Sequence, residues 1–149
     1  MTSEQYRRVL IVDDDTDVRR MLAVALRQRD LTIDEAAGGQ AAIDLLRQHP
    51  YAVVLLDILM PGADGFAVLD AIDADTALSP VVLVVTGADR GVLDRLDSRR
   101  IHGVVRKPFD PHELAGVVAA CADIRGRSTF ETMALAVVSG APLIALLKL

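Results

Sequence analysis

The sequence YAVVLLDILMPGADG, residues 51–65, contains the clearest indication of the architecture. Its five consecutive apolar residues, Ala52 to Leu56, are typical of a strand that is buried on both faces of a parallel sheet. This run leads directly to Asp57, and a carboxylate is costly to bury unless another group keeps it charged. The segment therefore raises the question of what surrounds Asp57 and what its carboxylate does.

The composition is that of a globular chain. Apolar residues make up 52% of the 149 residues and charged residues 25%, which predicts one folded domain with a sizeable core. A formal net charge of -5 argues against a nucleic-acid-binding surface, which requires a basic patch. The single cysteine, Cys121, excludes an internal disulfide and a cysteine-based zinc cluster.

No targeting or membrane segment is evident in the sequence. The apolar run near the start has only four residues before three aspartates, which is too short for a signal peptide. No segment reaches the ~20 apolar residues of a membrane-spanning helix. We therefore expect a cytoplasmic protein without membrane contact.

Strand-like and helix-like segments alternate along the chain. Between the predicted strands, apolar residues recur at helical spacing, although the fourth helical segment has few of them. Repeated strand–helix units with apolar strands predict a doubly wound α/β fold: a five-stranded parallel sheet in the flavodoxin-like order 2-1-3-4-5. The predicted strands are RRVLIV (7–12), LTIDEA (31–36), AVVLL (52–56), PVVLVVT (80–86) and a short one in HGVVRKPF (102–109).

Polar residues follow the predicted strands at the points where the strands stop. Asp13 and Asp14 follow the first strand, Asp57 follows the third, Thr86 ends the fourth, and Lys107 follows the fifth. In such a sheet these ends meet near the switch point between strands one and three. Three crowded carboxylates raise one another's pKa unless a cation joins them. A set of oxygen ligands with room for water predicts a Mg²⁺ site.

Asp57 is the candidate nucleophile of this cluster, because an aspartate carboxylate can accept a phosphoryl group. Phosphoryl transfer depends on alignment and on positive charge around the transferred group. Mg²⁺ and Lys107 would supply that charge. The hydroxyl of Thr86 and the unobstructed backbone N–H of Gly87 could donate to phosphoryl oxygens.

Four motifs, VLIVDDD, VVLLDILMPGADG, VVLVVTG and GVVRKPF, resemble in order and separation the signatures of the response-regulator receiver domain. The resemblance covers residues 6–125. It implies that Asp13 and Asp14 bind Mg²⁺, with Asp14 the more direct ligand, and that Asp57 is the phosphoacceptor and a further ligand. The backbone carbonyl of Leu59 is implied as another ligand.

The resemblance also implies roles for the ends of strands four and five. Thr86 would move toward the phosphoryl group, Lys107 would pair with it, and the bond between Lys107 and Pro108 would be cis, for which proline has a low penalty. The family often has an aromatic residue where this chain has Val104. Signalling would then rest on backbone shifts at an output face that includes Val104 and Val105.

Two apolar residues predict a long-lived phosphorylated state. Leu59 and Ala88 lie two residues beyond Asp57 and Thr86 and flank the expected path of an attacking water. Neither side chain can orient that water through a hydrogen bond. We therefore expect slow hydrolysis of the acyl phosphate.

Residues 126–149 form an apolar extension that is predicted to be helical. STFE at residues 128–131 is typical of a capping box, and LIALLKL closes the sequence with apolar residues on nearly all sides. Such a segment could pack on its own receiver, contact a partner or second subunit, or begin a further domain. We favour a partner or dimer contact through residues 128–149.

The leading hypothesis is a phosphoacceptor response regulator without a DNA-binding output domain in this chain. A sensor histidine kinase or phosphotransfer protein would phosphorylate Asp57 and thereby switch partner binding or dimerisation. The protein would not be an enzyme beyond its own phosphorylation and dephosphorylation. One alternative is a haloacid-dehalogenase-type phosphatase, although Asp17 stands where that family's motif has threonine or valine. The other is an adaptor that works without phosphorylation.

Overall fold

The computed structural model describes residues 5–62, 65–75 and 79–127. The predictions for the extension, including the capping box at residues 128–131 and the dimer or partner contact, lie outside the described residues. The last described helix runs through residue 127, two residues beyond the predicted end of the receiver domain. Within the described ranges, no helix is both long enough and apolar enough to cross a membrane.

The predicted parallel sheet with the order 2-1-3-4-5 is confirmed. A short 3₁₀ turn, Gln5–Arg7, precedes the first strand. The strands are β1 (Arg8–Val12), β2 (Thr32–Ala36), β3 (Val53–Leu56), β4 (Val81–Thr86) and β5 (Gly103–Arg106). The helices are α1 (Thr16–Arg27), α2 (Gly39–Gln48), α3 (Gly65–Ala74), α4 (Arg90–Asp94) and α5 (Pro111–Arg127).

Both faces of the central strands are covered, which explains their uninterrupted apolar sequences. In β3, Val53 and Leu55 belong to the core shared with α1 and α5, while Val54 and Leu56 belong to the core shared with α2 and α3. All four residues of β3 and all six of β4 are buried. Alternation of side chains between two apolar layers therefore replaces the usual alternation of apolar and polar residues.

The structure of β5 corrects the prediction for Val105. Val105 is fully buried in the core with α1 and α5, so its assignment to an output face is wrong. The physical reason is the alternation of side chains along a strand, because β5 is covered on the side to which Val105 points. Val104 points to the opposite layer and is half-buried, so its role stays a prediction. α4 has five residues and none of them is buried, in agreement with its weak sequence pattern.

The side chain of His102, which directly precedes β5, forms a hydrogen bond with the backbone of β4. Its Nδ1 accepts a hydrogen bond of 3.0 Å from the backbone N–H of Val82. An Nδ1 atom that accepts a hydrogen bond through its lone pair cannot also carry a proton, so this contact requires the neutral imidazole. Burial lowers the pKa of His102, and the nearby positive charge of Arg125 lowers it further.

We predict that acid weakens the fold through His102. Its folded pKa lies below its ordinary value of 6.5, so the unfolded chain binds the proton more readily, and this contribution to stability falls as the pH drops below that value. Urea unfolding at about pH 7.5 and about pH 5.5 should show a larger loss for the wild type than for His102→Asn. In that variant an amide oxygen can accept the N–H of Val82 without titrating. Equal losses of unfolding free energy in the two proteins would contradict the proposed role of His102.

Candidate functional site

Polar residues gather at the carboxyl ends of β1, β3 and β4. Among the described residues, the buried polar side chains are those of Asp13, Asp57 and Thr86, and all three lie at this edge of the sheet. The three described residues of polar or charged type that are fully buried are thus concentrated in one place. Because burying a polar group costs free energy unless it is paired, such a concentration marks a site rather than a part of the core.

The sheet hydrogen bonds continue one residue beyond the strands and fix the backbone of both buried aspartates. The N–H of Asp13 donates to the carbonyl of Ala36 at 3.1 Å. That of Asp57 donates to the carbonyl of Val12 at 2.9 Å. The two carboxylates are therefore positioned by the backbones of neighbouring strands and not by flexible loops.

Each oxygen of the Asp57 carboxylate has a defined partner. Oδ1 accepts hydrogen bonds from the hydroxyl of Thr86 at 3.0 Å and from the backbone N–H of Leu59 at 3.1 Å. Oδ2 accepts from the ammonium of Lys107 at 3.1 Å, and the same ammonium donates to Oδ2 of Asp13 at 2.7 Å. The predicted neighbours Asp13, Asp57, Thr86 and Lys107 are thus brought together.

The electrostatic balance of this group is negative. Burial raises the pKa of Asp13, and the hydrogen bond from Lys107 offsets part of that effect. Burial alone would lower the pKa of Lys107, but its hydrogen bonds to Asp13 and Asp57 outweigh this and raise the pKa. One ammonium therefore serves two buried carboxylates, which leaves a demand for more positive charge.

The carboxylates of Asp13, Asp14 and Asp57 fit a small divalent cation. Each of the three residues offers one oxygen, and these oxygens all lie within 4.8 Å of one another. Asp14 is exposed, so the cluster is open to water on one side. A few carboxylate oxygens with access to water match the preference of Mg²⁺ for oxygen ligands and a partly retained water shell. The predicted contribution of the Leu59 carbonyl stays a prediction.

Thr86 and Lys107 are also linked through their backbones. The N–H of Lys107 donates to the carbonyl of Thr86 at 3.1 Å, and the peptide bond from Lys107 to Pro108 is cis. The hydroxyl of Thr86, which points to Asp57, accepts the N–H of Ala88 at 3.2 Å. The space beside the Cα of Gly87 is open, so no steric contact requires glycine there.

Gly65 is a residue of the site that the sequence analysis missed. A Cβ at this position would lie 2.8 Å from the carbonyl oxygen of Asp57 and 2.6 Å from the Cα of Ile58. Its backbone N–H donates to the carbonyl of Ile58 at 3.3 Å. The start of α3 therefore packs directly against the segment that carries Asp57. Its position at the end of MPGADG was the only signal in the sequence.

We predict that Gly65→Ala destabilises the fold and displaces Asp57. Both close contacts involve backbone atoms, so relief requires a main-chain shift, and overpacking of this kind costs about 1–3 kcal/mol. Urea unfolding measures the loss. Gly38→Ala is the control, because nothing lies within 4 Å of an added Cβ there and its φ of -171° is open to any residue. Gly38 is the N-cap of α2, where alanine is less favourable than glycine, so we expect a smaller loss in this variant. Equal stability of the two variants would contradict the proposed contact.

Comparison with known proteins assigns the family. A model of the response regulator receiver domain matches residues 9–119. The chain belongs to this family. It is 33% identical over 114 residues to the transcriptional regulatory protein ResD of Bacillus subtilis, a match that covers 76% of this chain and 47% of ResD. It is 31% identical over 131 residues to the probable transcriptional regulator ycf27 of Guillardia theta, covering 87% of this chain and 50% of that protein.

Solved receiver domains share the fold. The response regulator TrrA of Thermotoga maritima, in complex with Mg²⁺ and BeF, is 30% identical with a TM-score of 0.64, covering 72% of this chain and 92% of that one. A CheY-like receiver domain protein from Methanospirillum hungatei is 21% identical with a TM-score of 0.73, covering 83% and 98%. The second likeness supports the fold alone.

The receiver assignment gives the acidic cluster a context. Receiver domains are phosphoacceptors rather than classical enzymes, they bind Mg²⁺ at an acidic site, and they interact with histidine kinases or phosphotransfer proteins. This chain carries such a domain of a two-component response regulator, which leaves no support for the phosphatase alternative. The chain spans about half the length of the curated relatives named above.

Proposed function

We propose that this receiver is phosphorylated on Asp57 by a sensor histidine kinase or a phosphotransfer protein in a Mg²⁺-dependent reaction. The observation that supports the proposal best is the carboxylate of Asp57, which lies within hydrogen-bond distance of both the Thr86 hydroxyl and the Lys107 ammonium. We place the reaction in the cytoplasm, consistent with the buried free thiol of Cys121.

In the proposed reaction, a carboxylate oxygen of Asp57 attacks phosphorus in line with the bond to the donor. A new O–P bond forms, the N–P bond to the donor imidazole breaks, and the imidazole nitrogen keeps the electron pair. The product is an acyl phosphate on Asp57. Little covalent chemistry is required of the protein, so alignment and charge stabilisation provide most of the catalysis.

The neighbours of Asp57 supply the alignment and part of the charge. An ammonium group has three donors, and Lys107 uses two of them on Asp13 and Asp57, so a third remains for a phosphoryl oxygen. The hydroxyl of Thr86 is already directed at Asp57 and could donate to the phosphoryl group instead. Mg²⁺, held by Asp13, Asp14 and Asp57 and in this proposal by the Leu59 carbonyl, would neutralise the charge that builds up on the phosphoryl oxygens.

The proposed output begins at Thr86. If its hydroxyl follows the phosphoryl group, its hydrogen bond with the N–H of Ala88 must change, and Ala88 leads into α4. None of the residues of α4 is fully buried, and its core contacts come from Val92 and Leu93, which are partly exposed, so moving that helix sacrifices little packing. We propose that the surface around α4 and Val104, or residues 128–149, then binds a protein partner or a second copy of the chain.

Direct phosphorylation tests the proposal. Incubation with Mg²⁺ and acetyl phosphate, in which the O–P bond to acetate breaks, should add one phosphoryl group to the intact mass. The added group should be labile to hydroxylamine, as expected for an acyl phosphate. Asp57→Asn should abolish the gain, because an amide oxygen is a poor nucleophile and forms no such anhydride.

Asp15→Asn is the matched control for that experiment. Asp15 is exposed and caps α1 by accepting the N–H groups of Asp17 and Val18, a role that asparagine fills equally well. This variant should gain the phosphoryl group as the wild type does. No gain in the wild type, with the circular dichroism spectrum of a folded α/β protein, would show that acetyl phosphate is not a donor and would require the same assay with a phosphorylated histidine kinase or phosphotransfer protein. No gain from those donors would contradict the proposal.

The lifetime of the phosphorylated state tests the role of Leu59. Leu59 is 49% exposed, its N–H contacts the Asp57 carboxylate, and its side chain has no group that could orient a water molecule. We predict that Leu59→Asn increases the rate of dephosphorylation severalfold, followed by intact mass after removal of acetyl phosphate. Leu59→Met, which keeps an apolar side chain, should decay as the wild type does. Equal decay in all three proteins would refute the explanation.

A further inference from the structure

Arg19 lies beside the acidic cluster and contacts its backbone. It is the fourth residue of α1, and only 14% of its side chain is exposed. Its Nη1 donates to the backbone carbonyl of Asp13 at 2.8 Å, and its Nη2 lies 3.3 Å from the hydroxyl of Thr16. Its Nε lies 3.6 Å from a carboxylate oxygen of Glu35 on β2.

The contact with Asp13 completes the restraint on that residue. The N–H of Asp13 is held by the carbonyl of Ala36, and one carboxylate oxygen of Asp13 accepts the N–H of Asp15 at 2.9 Å. Arg19 holds the remaining backbone group, the carbonyl. Because a peptide unit is planar, fixing the carbonyl of Asp13 also fixes the N–H of Asp14 and the plane from which the Asp14 side chain starts.

The contacts of the Arg19 guanidinium are stronger than those of a typical solvent-exposed arginine. A guanidinium withdrawn from water needs partners for its donors, and Arg19 uses them on α1, on β2 and on the end of β1. Hydrogen bonds from a charged donor are stronger than neutral ones. The carbonyl of Asp13 is therefore held more firmly than a solvent-exposed carbonyl at the end of a strand.

We propose that Arg19 is a positioning residue for the metal site, holding the peptide between Asp13 and Asp14 so that both carboxylates are preorganised for Mg²⁺. The inference rests on the proposed Mg²⁺-dependent function. Arg19 does not touch the metal in this proposal; it acts through the backbone of two ligands.

The sign of the effect separates positioning from simple electrostatics. Removing a positive charge near a cation site should strengthen Mg²⁺ binding if Coulomb repulsion is the main effect. Loss of positioning should weaken it, and removal of hydrogen bonds that orient metal ligands costs about tenfold or more in affinity. The two explanations thus predict opposite changes.

Isothermal titration calorimetry with Mg²⁺ on the full chain provides the test. Arg19→Met keeps the unbranched side chain and removes the donors, and we expect the dissociation constant to rise about tenfold. Arg27→Met is the matched control: Arg27 lies on the same helix, 4.0 Å from Glu35, and is 56% exposed. It removes the same charge and no contact with Asp13 that the structure records, so its affinity should equal or exceed that of the wild type.

Two further measurements separate positioning from a general loss of structure. Urea unfolding in EDTA should show that both variants remain folded without metal. The amide resonance of Asp14 should shift in Arg19→Met and not in Arg27→Met, because a hydrogen bond to the Asp13 carbonyl polarises the same peptide unit. Arg19→Lys keeps the charge with a single donor group, and its affinity should lie between those of the wild type and Arg19→Met.

Each outcome has a distinct meaning. An unchanged or tighter dissociation constant in Arg19→Met overturns the inference and leaves the proposed function standing. If Arg19→Met does not fold, the Mg²⁺ affinity of Arg19→Lys provides the test. An affinity equal to that of the wild type would overturn the inference. Absence of Mg²⁺ binding by the wild type contradicts the proposed function itself, and the positioning role fails with it.

Discussion

The buried carboxylates of Asp13 and Asp57 share the ammonium group of Lys107. These partners are 94 and 50 residues away from Lys107 along the chain, so the contact forms only when β1, β3 and β5 are assembled in one sheet. Without the ammonium, two carboxylates would be buried without the opposite charge that the fold provides, which is one of the most costly arrangements in a protein. The chemistry of the site therefore depends on the assembled sheet, which brings these three side chains together.

The surrounding structure limits how these groups can move. Backbone hydrogen bonds from β1 and β2 hold Asp57 and Asp13, and the close approach of Gly65 presses the start of α3 against the Asp57 segment. In contrast, α4 has no buried residue, although it follows directly on the loop that contacts Thr86. Rigid support beneath the acidic cluster and weak packing beside it are a suitable combination for a switch.

Much of this arrangement was predictable because it follows from local pattern and sheet geometry. Apolar runs predicted the strands, and the rule that parallel strands present their carboxyl ends at one edge placed Asp13, Asp57, Thr86 and Lys107 together. The assignment of Val105 failed because an apolar run gives no information about which face each residue joins when both faces are buried. The contact of Gly65 was missed for a similar reason, since the motif MPGADG places a glycine there but does not give the distance between the two backbones.

The sequence by itself determined the strand and helix order, the parallel class of the sheet and the identity of the polar residues at its edge, because each follows from residues close together in the chain. Only the tertiary structure decided which partners these residues have: Lys107 between two carboxylates, His102 accepting the N–H of Val82, and Arg19 on the carbonyl of Asp13. Hydrogen bonds and ion pairs are sensitive to changes of a few tenths of an ångström in the donor–acceptor distance and to the direction of the donor group. Those quantities are set by the packing of the whole chain and not by any segment of it.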